Sequence, residues 1–181
     1  MNYLKIDECS VCNGTGFRIV LWVSGCEHHC IGCQNPESWR FDNGQFFSQA
    51  TIDKLIELLN KDYISGITLS GGDPLNPKNV IKIDTPTIYD VVREIKEKCP
   101  NKTIWIYTGY SWNELLTMSK DNYMYQYVIE NSDIIVDGEY KQSCRDITLA
   151  YKGSTNQQII DVQQTLHNNR LVLWHNGISK I

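Results

Sequence analysis

No run in the chain approaches the roughly 20 consecutive apolar residues that a membrane-spanning helix requires. The opening Met1-Asn2-Tyr3-Leu4-Lys5-Ile6-Asp7-Glu8 has no apolar centre of the kind a secretory signal carries. A cytoplasmic protein with no membrane partner is therefore expected, and in that compartment thiols stay reduced. Positive charge is in short supply too: 17 Lys and Arg face 21 Asp and Glu, a net charge of −4. That balance removes the electrostatic case for a general nucleic-acid binder. A dinucleotide fingerprint is missing, because Ile19 stands where Gly14-Thr15-Gly16 would need its third glycine. With no repeat, low-complexity segment or linker, residues 1–181 read as a single domain. Hydrophobic residues at 41% and charged residues at 21% exclude a disordered chain.

What the chain does contain is an alternation of short β-rich runs and helical patterns. Arg18–Ser24, Gly66–Ser70, Thr103–Tyr107 and Ile134–Val136 read as strands, with weaker strand signals at Gln158–Val162 and Leu171–Trp174. Between them, Ile52, Leu55, Ile56 and Leu59 recur at helical spacing behind a Thr51 N-cap. A second helix is expected over Thr87–Lys98, with Pro86 in its first turn and Pro100 stopping it. Ser111-Trp112-Asn113-Glu114 has the form of a capping box opening a third. Strands alternating with helices imply an α/β fold with a mainly parallel sheet. Right-handed crossovers put the C-terminal strand ends at one edge, where ligands bind in such sheets.

Each unusual segment follows a strand. After the first comes Gly25-Cys26-Glu27-His28-His29-Cys30-Ile31-Gly32-Cys33, after the second Gly71-Gly72-Asp73-Pro74, after the third Thr108-Gly109-Tyr110, after the fourth Asp137-Gly138. Three cysteines spaced C-x3-C-x2-C in one polar loop point to a shared metal. Thiolates suit zinc and iron–sulfur clusters alike. A closed zinc site wants four ligands, which His28 or His29 would complete, whereas three thiolates on a four-iron cluster leave one iron open. Unligated core cysteines are the remaining reading.

This ordered set resembles the radical S-adenosylmethionine enzymes, and among them the activating proteins of anaerobic (class III) ribonucleoside-triphosphate reductase. Asn13-Gly14-Thr15-Gly16, Cys33-Gln34-Asn35-Pro36 with Ser38-Trp39, Ser70 through Leu75, Val136-Asp137-Gly138 and Gly153-Ser154-Thr155-Asn156-Gln157 extend the likeness from about residue 3 to about residue 162. The resemblance implies one 4Fe-4S cluster on Cys26, Cys30 and Cys33, with S-adenosyl-L-methionine chelating the fourth iron. It further implies contacts to that molecule from Gly32, Cys33 and Gln34 and from Gly71, Gly72 and Asp73, while Thr108 and Asp137, at the ends of the third and fourth strands, stand where a cleft wall would meet the adenosyl ribose or an ordering cation. The implied protein substrate is the large subunit of the anaerobic reductase, which would acquire a glycyl radical, and the implied electron source is a donor such as flavodoxin. Rival expectations are another small radical S-adenosylmethionine enzyme, such as the pyruvate formate-lyase activase or a heterocycle-modifying enzyme, and a non-enzymatic zinc-binding regulator or an electron carrier.

A complete (β/α)8 barrel takes about 250 residues. About six mainly parallel strands in 181 residues therefore suggest an incomplete (β/α) barrel, open on one side for a protein substrate that completes the seal. Several signals have plainer explanations. Cys9-Ser10-Val11-Cys12 has metal-like spacing but supplies only two thiols, and Cys99 and Cys144 stand alone. His28 and His29 are expected to face solvent unless they donate to the cluster. Asp137 and Thr108 could equally serve capping and turns, and Gly153 to Gln157 has the composition of an ordinary turn as well as a place for a substrate entrance.

Overall fold

The computed structural model describes residues 1–81 and 84–175. They build one open seven-stranded sheet with six helices. The strands are β1 (Asn2–Ser10), β2 (Phe17–Val23), β3 (Gln45–Phe46), β4 (Ile64–Gly71), β5 (Thr103–Tyr107), β6 (Ile134–Asp137) and β7 (Gln158–Asp161). The helices are α1 (Gln49–Leu59), α2 (Pro77–Val80), α3 (Ile88–Lys98), α4 (Trp112–Asp121), α5 (Tyr123–Glu130) and α6 (Val162–Asn168). Strand order is β3-β1-β2-β4-β5-β6-β7.

The four central strands β2, β4, β5 and β6 pair in parallel, as the alternating pattern requires. The three flanking strands are antiparallel, so the sheet is mixed, with β3 and β7 its outermost strands. The architecture is thus an open mixed α/β sheet of seven strands where about six mainly parallel ones are expected. Two strands, β3 and β1, are added: β3 spans only two residues, and β1 alternates apolar with charged side chains only over residues 4–7 before Glu8 breaks the pattern. β1 is held by hairpin pairing to β2, with Ile6 opposite Leu21. The Leu171–Trp174 signal yields a single bridge, Leu173 to Ile160, rather than a strand.

Helix starts follow their caps. Ser48, with extended backbone, is the N-cap of α1, and the expected cap Thr51 occupies the third position, where the two residues form a reciprocal capping box. Thr87 caps α3 through Asp90, which leaves Pro86 outside the helix rather than in its first turn. Ser111 and Glu114 cap α4 as the sequence indicates.

The two faces of the parallel strands carry different residues. Ile19, Leu21 and Val23 of β2, Ile67 and Leu69 of β4, Ile104 and Ile106 of β5 and Ile135 of β6 join one core cluster. That cluster includes Leu55 and Leu59 of α1, Val91 and Ile95 of α3, Leu115 of α4 and Val128 of α5. The alternate positions point the other way: Arg18 and Trp22 of β2, Thr68 and Ser70 of β4, Trp105 and Tyr107 of β5. Arg18 is fully buried there. Its guanidinium donates to the Thr68 and Thr103 hydroxyls at 2.9 and 2.8 Å and to the Ile67 and Thr103 carbonyls at 2.6 and 2.9 Å. Burial pulls its pKa down to about 10. Among the described residues, no helix is long and apolar enough to cross a membrane.

Candidate functional site

At the C-terminal edge of the parallel strands, the loops after β2, β4, β5 and β6 enclose a cavity of about 370 Å³. Trp22, Ser70 and Tyr107 from the strands' second face form part of its wall, and Cys26, Cys30 and Cys33 border it together. All seven cysteines are free thiols, and these three are half-buried.

The cysteine loop is shaped by its backbone. Gly25 and Cys26 donate their N–H groups to Ser38 and Trp39 carbonyls at 2.7 and 3.1 Å, and Cys33 N–H closes a turn on the Cys30 carbonyl at 3.1 Å. His29 and Gly32 both adopt left-handed backbone, with φ of 49° and 75°, which folds the loop back on itself. Backbone N–H groups then face the sulfurs: those of His28 and His29 at Cys26, that of Tyr140 at Cys30, and that of Asn35 at Cys33 Sγ at 3.4 Å. Burial nevertheless pushes the Cys26 thiol up to about 11 and raises that of Cys30. A bound metal reverses this, since coordination deprotonates a thiol outright.

The donor set consists of three thiols, and His28 is not placed to complete a zinc site with them. A tetrahedral zinc ion with bonds of about 2.3 Å to sulfur needs its ligands tightly convergent. Among the described residues, no three His, Cys, Asp or Glu side chains converge to hold a single ion. His28 is also spent elsewhere: its Nε2 meets Asp73 Oδ2 at 2.8 Å and its Nδ1 meets Glu139 Oε1 at 3.1 Å. The Asp73 contact raises the His28 pKa above its ordinary value. An exposed His28 is therefore not observed. The ring is inside, edge-on to Tyr110 with centroids 4.6 Å apart. Three thiols with N–H donors on each, beside a cavity, suit a cluster that takes three protein ligands.

Asp73 is the hub of the site. Fully buried, its carboxylate accepts from Leu75 N–H at 2.8 Å, the Thr108 hydroxyl at 2.9 Å and Gly109 N–H at 3.0 Å, besides His28. It thereby ties the loops after β2, β4 and β5 together. Asn79, at 1% exposure, does the same from α2: its Nδ2 donates to the Ser24, Gly25 and Asp73 carbonyls. Gly71 and Gly72 let backbone pass backbone. A Cβ on Gly72 would lie 2.6 Å from the Gly25 carbonyl oxygen, and one on Gly71, whose φ is 101°, 2.6 Å from that of Val23.

Of the residues singled out from sequence, Cys26, Cys30, Cys33, Gln34, Gly71, Gly72, Asp73 and Thr108 all border the cavity. Gly32 and Asp137 are not on its wall. Asp137 instead accepts Trp112 N–H at 2.8 Å and Gln158 N–H at 3.1 Å, holding the start of α4 to β7. Gly153 and Gln157 reach the wall, as their late turn suggests, and Cys12 lies there as an exposed thiol. Asn79 and Tyr140 carry no motif that sequence reading could find. Only the loop packing gives them a place.

Comparison with known proteins agrees with this assembly. Residues 12–160 match the family described as the 4Fe-4S single cluster domain. The anaerobic ribonucleoside-triphosphate reductase-activating protein of Escherichia coli (strain K12) is 41% identical over 161 residues, spanning 88% of this chain and 97% of that one. The proteins of the same name from Enterobacteria phage T4 and Haemophilus influenzae are each 40% identical over 88% of this chain, covering 93% and 97% of their own lengths. The chain belongs to the family of anaerobic ribonucleoside-triphosphate reductase-activating proteins.

Proposed function

We propose that this chain is a radical S-adenosylmethionine activase that places a glycyl radical on anaerobic ribonucleoside-triphosphate reductase. The observation that carries the reading is Cys26, Cys30 and Cys33 gathered on one cavity wall at the C-terminal edge of the parallel strands, in a chain whose residues 12–160 match the 4Fe-4S single cluster domain. When bound, a 4Fe-4S cluster with S-adenosyl-L-methionine supplies one-electron cleavage of the S–C5′ bond, giving methionine and a carbon-centred radical that takes the hydrogen of a glycine Cα.

The chain's own part is to bind, orient and shield. Cys26, Cys30 and Cys33 would hold three irons, and the N–H groups facing their sulfurs would stabilise the negative charge there. Backbone at Gly71 and Gly72 would meet the methionine end, and Cys33 with Gln34 the adenosyl end. Asp73 and Thr108, spent on each other and on neighbouring loops, fix the shape of the wall rather than offer free polar groups. Asp137 acts at one remove by anchoring α4. The electron is assigned to a donor such as flavodoxin, and the site of action to the cytoplasm.

The test is anaerobic incubation of the reconstituted protein with reductase, reductant and S-adenosylmethionine, read by electron spin resonance. A glycyl radical with wild type and none with Cys30→Ala is expected. A full signal from Cys30→Ala, or one seen with pyruvate formate-lyase in place of the reductase, would remove the assignment.

A further inference from the structure

We propose that Ile31 and Ile147 form an apolar lip around the cavity mouth on which the reductase docks, an inference that rests on the function proposed above. These are the most exposed large apolar side chains among the described residues, at 85% and 82%. Single exposed apolar residues are ordinary on a protein surface. What distinguishes this pair is location. Ile31 sits between Cys30 and Gly32, in the loop that carries three sulfurs to the cavity wall. Ile147 sits on a hairpin closed by the Arg145–Ser154 bridge, amid Arg145, Asp146 and Thr148. The same hairpin sends Leu149, Tyr151 and Gly153 to the cavity wall.

The two segments adjoin. The space a Gly32 side chain would fill is taken by the Gln142 amide, with the Tyr140 ring 3.5 Å away, and Gly153 lies against that same ring. The Tyr140 hydroxyl donates to Gln142 Oε1 at 2.6 Å, so the two side chains that meet Gly32 brace each other. Ile31 and Ile147 therefore stand exposed on two adjoining segments, each of which sends other residues to the cavity wall.

The occupant follows from the geometry of the reaction. A cavity of about 370 Å³ lies near the lower end of the range that holds one small ligand. The cofactor would use it, so a glycine embedded in a protein can only be offered at the mouth, with the surface flanking that glycine pressed on the rim. The partner is thus a protein that presents apolar hollows on both sides of its glycine-bearing segment, and the relatives' name specifies a reductase.

The experiment uses the full chain, reconstituted with iron and sulfide, as wild type, Ile31→Glu, Ile147→Glu and the double variant. Cluster absorbance and its change on adding S-adenosylmethionine should match wild type, because neither side chain faces the cavity. Reductase binding, measured by sedimentation, should weaken about tenfold or more for each substitution, with loss of glycyl radical in parallel. If Ile31→Glu disturbs cluster loading, Ile147→Glu, outside the cysteine loop, carries the test alone. Reductase binding by the double variant at wild-type strength would overturn the lip while leaving the activase reading intact. So would a dimer of the chain alone that the same substitutions dissociate. Failure of wild type itself to bind the reductase or form a radical would overturn the activase reading, and the lip with it.

Discussion

Asp73 shows how much of this site rests on single side chains. Its buried carboxylate takes donors from three loops, so Asp73→Ala would strand the Leu75 and Gly109 N–H groups and the Thr108 hydroxyl without acceptors. Breaking such a buried charged network typically costs about 3–5 kcal/mol. Urea unfolding of the metal-free protein should show a loss of that order, and Asp73→Asn, which keeps one acceptor oxygen, a smaller one. Asp137 makes a separate prediction in pH. Burial raises its pKa despite two N–H donors. A raised carboxylate pKa means the folded state favours the protonated form. Its stabilising contribution is complete below the unfolded value of about 3.9 and is lost as pH rises through the folded value. The stability advantage of wild type over Asp137→Asn should therefore be largest in acid and shrink toward neutral pH, which paired unfolding curves would record. That Cys26, Cys30 and Cys33 belong together is suggested by spacing alone, because metal-ligand chemistry is a property of the residue types, and they do border one cavity. The inward His28 is not suggested in this way, because its partners are 45 and 111 residues away in sequence.

At the level of elements, the end of β4 leans on the end of β2. Gly72 N–H bonds the Val23 carbonyl and Asp73 N–H the Gly25 carbonyl, both at 2.8 Å, directly before Cys26. The paired glycines thus have a structural reason apart from any ligand: a side chain at Gly72 would press on Gly25 backbone. Gly72→Ala should cost about 1–3 kcal/mol, the usual penalty of overpacking, and should lower the iron retained after reconstitution, measured by metal analysis against wild type. Helices α3 and α4 are visible in sequence because apolar spacing and caps are local signals, whereas the short α2, α5 and α6 lack the length for a clear period. β1 escapes for another reason: its alternation over residues 4–7 is short, Asp7 is half-buried where it accepts the Trp22 indole N–H at 2.7 Å, and its stability comes from pairing with β2.

For the whole molecule, the functional fact is a sheet with two unlike faces. Helices seal one, while the other holds buried Arg18 and the Trp105, Tyr151 and Trp174 rings below the cavity, with centroids 5.2–5.9 Å apart. Because the sheet does not close on itself, the proposed site is expected to draw its shielding from the reductase. Consumption of S-adenosylmethionine should therefore run ahead of radical formation in the chain alone, or with reductant only. It should approach one molecule per glycyl radical once the reductase is added. Product analysis beside spin counting would check this, and tight coupling without the reductase would contradict it.

The sequence by itself determined the cysteine triad, the Gly-Gly-Asp turn and the parallel centre of the sheet, because residue chemistry, turn propensity and apolar period are written over short stretches. Only the tertiary structure decided that Asp73 braces the site from within, that Asp137 stands off the cavity, and that β1, β3 and β7 flank the sheet in the antiparallel sense. Those outcomes depend on hydrogen-bond partners and strand neighbours remote in the chain, and short-range pattern carries no information about which distant group will satisfy a buried polar atom.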